Sequence, residues 1–131
     1  MGNPSTGVTT MKSLIQILVI TCALLAGPLW AADSISISEL KQAMQSGNTP
    51  IIIDVRDEDE YLAGHIPGAI LVPAKNVEHH LDMLEKYQKE EIVLYCQSGR
   101  RASAAATTLE NAGFKHVKLL DGNFPGWQAS K

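Results

Sequence analysis

The sequence predicts an α/β fold, a central parallel sheet of four or five strands flanked by helices. Short apolar runs rich in branched residues alternate with stretches of helical periodicity, the order that builds parallel neighbours through helical crossovers. The runs are also unbroken by polar residues, as in Ile51-Ile52-Ile53 and Ile92-Val93-Leu94. Such runs mark strands covered on both faces. With 131 residues, 45% hydrophobic and 19% charged, the chain has room for one core and no second.

Met1 to Thr10 is polar, and Met11-Lys12 reads as a second, more conventional start. From Leu14 to Ala26 nearly every residue is apolar, and Gly27-Pro28 and Ala31-Ala32 follow. A positive start, a short apolar stretch and small residues are the layout of a secretory leader. Residues 1–32 are therefore expected to be a signal peptide cut after Ala31 or Ala32, leaving a single domain over 33–131 and a periplasmic protein. Leu29 or Trp30 stands where a small residue is usual three positions before the cut. An uncleaved anchor is the alternative, although the apolar run is shorter than the roughly 20 residues that span a bilayer. Cys22 has neither the preceding nor the following residues of a lipoprotein signal.

After the leader, Ser38 is the expected N-cap of a helix over Glu39 to Ser46 that Gly47 stops. Ile51 to Val55 is a strand. Asp57 to Ala63 reads as one or two helical turns ended by Gly64, and Ala69 to Val72 as a short strand before Pro73. Val77, Leu81, Leu84 and Tyr87 share helical spacing, which predicts a helix over Asn76 to Gln88. Ile92 to Tyr95 is the central strand. Ala102, Ala105, Ala106, Leu109 and Ala112 then form a stripe of small residues, so the helix from Ala102 to Ala112 can lie close on the sheet. His116 to Leu120 is the last strand, and a short helix around Trp127 ends the chain.

The formal charge is -3, and Lys12 is the only charge before Asp33, so residues 33–131 carry -4. A mildly acidic domain is no partner for nucleic acid. Cys96 is the only cysteine outside the leader, so no internal disulfide can form. A lone thiol in an exported protein points to reactivity or intermolecular pairing. His79 and His80 are adjacent and no paired cysteines occur, which leaves no readable zinc site.

The chemistry is concentrated in Cys96-Gln97-Ser98-Gly99-Arg100-Arg101, where the central strand gives way to a polar, basic turn and then a helix. Free amides and the positive end of the helix dipole favour an anion there, and two arginines add full charges. The expected result is a reactive thiolate. An ordinary strand-turn-helix connection that contains a cysteine is the alternative.

Four groups of residues, in order, resemble the rhodanese domain. They are Asp54-Val55-Arg56; Glu60 with Gly64-His65-Ile66-Pro67-Gly68-Ala69; Cys96 to Arg101; and Leu120-Asp121-Gly122 with Trp127. The resemblance covers nearly all of the chain after Ala32 and is strongest to small, single-domain exported sulfurtransferases. Asn123 stands where the family often has a second glycine.

The resemblance implies a rhodanese-like fold and a sulfurtransferase of the thiosulfate:cyanide type, with no cofactor or metal and a monomeric chain. Cys96 would take the outer sulfur of thiosulfate as a persulfide and pass it to cyanide or a thiol. The amides of Gln97, Ser98, Gly99, Arg100 and Arg101 would cradle that sulfur. Arg101 would bind the substrate anion, with Arg100 at the rim. Asp54, an Arg56 to Glu60 ion pair and His65 are expected to support the structure, His65 by holding a turn. His79, His80 and the acidic run Asp57 to Glu60 read as solvated, and Trp127 as a lid on the core. Two rival functions are a phosphatase and a non-catalytic module. Phosphatases of related fold place their arginine after five intervening residues, at position 102, which here is Ala102. Non-catalytic members commonly lack the cysteine.

Overall fold

The four expected apolar runs pair side by side, and Asp33–Ile35, which is not one of them, adds a fifth strand. β1 (Asp33–Ile35), β2 (Ile51–Asp54), β3 (Ile70–Leu71), β4 (Ile92–Tyr95) and β5 (Val117–Leu120) form one five-stranded sheet in the order β1-β5-β4-β2-β3. All four pairings are parallel. The structure is a computed structural model and describes residues Ala32–Lys131. The expected leader lies outside the described residues, apart from Ala32.

β4 is the middle strand, with Ile51 opposite Ile92 and Asp54 opposite Tyr95 on β2. Alternation along a strand sends its side chains to two separate cores. Ile92, Leu94 and Cys96 join one core with Ala102, Ala105, Ala106 and Leu109 of the following helix; Val93 and Tyr95 join the other with Leu40, Ile66, Phe124 and Trp127. Cys96 thus belongs, by strand register, to the face that this following helix covers.

Helix α1 (Ile37–Gln45) is capped by Ser36, not Ser38: the Ser36 hydroxyl accepts the Glu39 N–H at 3.1 Å. A cap bonds the amide three residues on, and that reach from Ser36 starts the helix two residues earlier than expected. α2 (Glu58–Ala63) begins with a capping box in which Asp57 and Glu60 each accept the other's backbone N–H. The expected helix over 76–88 is broken into a 3-10 turn at Ala74–His80, α3 (Leu81–Leu84) and a second 3-10 turn at Glu85–Tyr87. The His80 ring contributes to the break, since its Nδ1 lies 2.8 Å from the Asn76 carbonyl that an α-helix would reserve for the His80 N–H. His80 is accordingly half-buried rather than solvated. α4 (Arg100–Asn111) starts at Arg100 rather than Ala102, and α5 (Asn123–Ala129) carries Trp127 into the core as expected.

Candidate active site

The site lies where β4 runs out at its C-terminal end. Cys96 is fully buried, 0% exposed, while Gln97 and Ser98 stand in solvent above it. The polarity of the loop suggests a partly exposed cysteine, but strand alternation carries the side chain inward. Gly99 then turns the chain into α4 with φ 95°, a left-handed conformation that few other residues adopt without strain. That turn folds the Gly99 N–H back onto the sulfur, 3.0 Å from Cys96 Sγ. The thiol therefore sits against a backbone donor at the start of a twelve-residue helix whose first two residues are Arg100 and Arg101.

The backbone of Cys96 is fixed from the other side by α5. Its N–H donates to Asn123 Oδ1 at 3.1 Å, and its carbonyl accepts the Phe124 N–H at 3.0 Å. Asn123 has φ 51°, the one left-handed non-glycine among the described residues. The sequence accounts for asparagine's tolerance of that turn; its reach to Cys96, 27 positions away, has no local signal.

The ion pairs differ from those expected. Arg56 does not pair with Glu60. It forks onto Asp54, with Nη2 2.7 Å from Oδ2, and donates to the Gly64 carbonyl at 2.7 Å. Glu60 instead grips Arg101 at 2.7 and 3.1 Å. Sequence spacing offers Arg56 a helical partner, but Arg56 precedes α2 and its side chain turns back to the strand end. Glu60 is therefore not part of a solvated acidic face. Its bond from Arg101 holds its carboxyl down at about 2, and the same bond raises Arg101. The charge of Arg101 is largely answered, whereas Arg100 is exposed and has no ion pair among the described residues.

Asp54, Arg56 and Tyr95 form a buried polar knot beside the loop. Asp54 accepts the Arg56 N–H at 2.9 Å and the Tyr95 hydroxyl at 2.7 Å, and that hydroxyl in turn accepts the Ile66 N–H at 3.0 Å. Burial pushes the Tyr95 phenol well above its usual value. Burial opposes the Arg56 charge, yet Asp54 outweighs it and the guanidinium is raised. Phe124 lies under that guanidinium at 4.1 Å. His65 stacks on Tyr61 at 3.7 Å, and its Nδ1 lies 2.9 Å from the Tyr61 carbonyl.

A buried sulfur under a backbone donor, at a basic helix start, on a parallel α/β sheet, is the architecture of the rhodanese-like class. Residues 36–130 match the Rhodanese-like domain family, and the chain belongs to it. It is 34% identical over 100 residues to the thiosulfate sulfurtransferase GlpE of Pseudoalteromonas translucida, covering 76% of this chain and 92% of that one. It is 40% identical over 83 residues to the putative sulfur carrier protein YrkF of Bacillus subtilis, covering 63% of this chain and 44% of that one. Among solved structures, the human single domain sulfurtransferase TSTD1 superposes with a TM-score of 0.68 at 26% identity, over 77% of this chain and 99% of that one.

Proposed function

We propose that this protein is a sulfurtransferase that moves a sulfane sulfur from thiosulfate, or a donor like it, through a Cys96 persulfide to cyanide or a thiol. The observation that carries this is the Gly99 N–H lying 3.0 Å from Cys96 Sγ at the start of α4. The Cys96 thiolate attacks the outer sulfur of thiosulfate, the S–S bond of the donor breaks, and sulfite leaves with the bonding pair. Cyanide then takes the terminal sulfur as thiocyanate and Cys96 returns as thiolate, so no outside oxidant or reductant is used. Because Cys96 lies beneath the loop, a slim terminal sulfur suits it better than a bulky thiol.

The likeness to a putative sulfur carrier favours a second reading of the same site, in which the persulfide is handed to a protein thiol. The phosphatase reading fails at Ala102, which is buried in the core where that chemistry needs an arginine. Export through the leader completes the proposal. The test is intact mass after treatment with thiosulfate: the protein should gain one sulfur atom, and Cys96→Ser should gain none. An unmodified wild-type chain that also makes no thiocyanate overturns the proposal, and turnover with protein thiols but not cyanide favours the carrier.

A further inference from the structure

Among the described residues, Asn123 is the one position where a side chain from outside the cysteine loop bonds the backbone of Cys96 itself. Its Oδ1 takes the Cys96 N–H at 3.1 Å. Its Nδ2 is the nearest atom, at 3.1 Å, to where a side chain on Gly99 would begin. Gly99 is the residue whose N–H reaches the sulfur. One amide group therefore abuts both ends of the Cys96 to Gly99 turn. Holding it there places a non-glycine residue at φ 51°, a cost a glycine would avoid. A glycine would leave the Cys96 N–H without this acceptor.

We infer that Asn123 is a positioning residue for the Cys96 turn: α5 reaches across to clamp the nucleophile's backbone, so that Cys96 Sγ and the Gly99 N–H keep their registry through each loading and unloading of sulfur. The inference rests on the proposed sulfur transfer for its turnover readout, but not for its alkylation readout. A clamped turn admits one terminal sulfur and resists bulkier reagents. A loosened turn delivers sulfur more slowly while exposing the buried thiol. The charged groups about the turn, Arg100 and Arg101 of α4 and the Glu60 that holds Arg101, are the same in either case.

The test is Asn123→Gly, which accepts the backbone conformation without strain. Its melting temperature should stay within a few degrees of wild type. The thiosulfate:cyanide kcat should fall about tenfold, roughly what the loss of one aligned hydrogen bond in a reacting site can do, with KM little changed. Alkylation of Cys96 by iodoacetamide should instead become faster. Unchanged kcat and alkylation would overturn the inference and reduce Asn123 to a turn residue. Should Asn123→Gly fail to fold, Asn123→Asp, which keeps an acceptor for the Cys96 N–H, settles it. Alkylation at the wild-type rate with a raised KM for thiosulfate supports the clamp, and fast alkylation overturns it. A wild-type chain inactive with thiosulfate would sink the sulfur-transfer reading but leave the alkylation comparison standing.

Discussion

Glu60→Gln isolates the charge of the Glu60 to Arg101 pair, since glutamine keeps an oxygen for the capping bond to the Asp57 N–H. The folded carboxyl sits at about 2 against an ordinary 4.5. Taken at face value, that difference would correspond to roughly 3 kcal/mol. The two side chains are 29% and 36% exposed, however, and solvent screening brings the value nearer to 1 kcal/mol. Because the folded pKa is depressed, this stabilisation is complete above about pH 5 and is lost as the pH falls towards 2. Thermal melts at pH 7 should place Glu60→Gln roughly 5 °C below wild type, about the shift that 1 kcal/mol produces in a domain of this size. The gap should narrow by pH 4. The variant also releases the Arg101 charge, so KM for thiosulfate should fall by up to about fivefold and become more sensitive to salt. Equal melting at pH 7, or a gap that persists unchanged at pH 4, would refute the electrostatic reasoning.

What the sequence discloses follows from how far each interaction reaches along the chain. β2 and β4 are legible because every apolar residue in them is bought into one of two cores. β1 is not: of Asp33, Ser34 and Ile35 only the last is buried, and the strand owes its conformation to pairing with β5. In 74–87 the periodicity correctly turns Val77 and Leu84 inward, but it cannot register that the His80 ring takes a carbonyl the helix needs. The site divides in the same way. Cys96 to Arg101 is contiguous and could be read as one unit. The partners that finish it, Glu60 for Arg101 and Asn123 for Cys96, lie 41 and 27 positions away. Local spacing instead offers Arg56 to Glu60, and it cannot report that the strand end gives Arg56 a nearer carboxylate in Asp54.

Cys96→Ala should abolish sulfur transfer and melt within a few degrees of wild type, because it removes one small buried atom from a large core; full activity would end the proposed mechanism. Asp54→Asn should lower stability by about 3 to 5 kcal/mol in denaturant titrations, since Arg56 would remain buried without its counter-charge, and a loss under 1 kcal/mol would show that the knot does not hold the loop. Arg101→Ala should raise KM for thiosulfate by leaving Glu60 unanswered, and adding Glu60→Gln should restore most of it; a double variant no better than the single would make Arg101 a direct ligand. The last prediction joins export to the fold. Ile35 is buried and Asp33 to Ile35 pair with Lys118 to Leu120, so a leader cut beyond Asp33 would shorten β1 and uncover the edge of β5. Cleavage is therefore expected to leave Ala32 or Asp33 as the first residue of a periplasmic protein, read by mass spectrometry of fractionated cells. Its single thiol, buried beneath the loop, should give no disulfide-linked dimer on non-reducing gels. A mature chain beginning after Ile35 would contradict the role of β1, and a dominant Cys96-linked dimer would contradict the shielding of the sulfur.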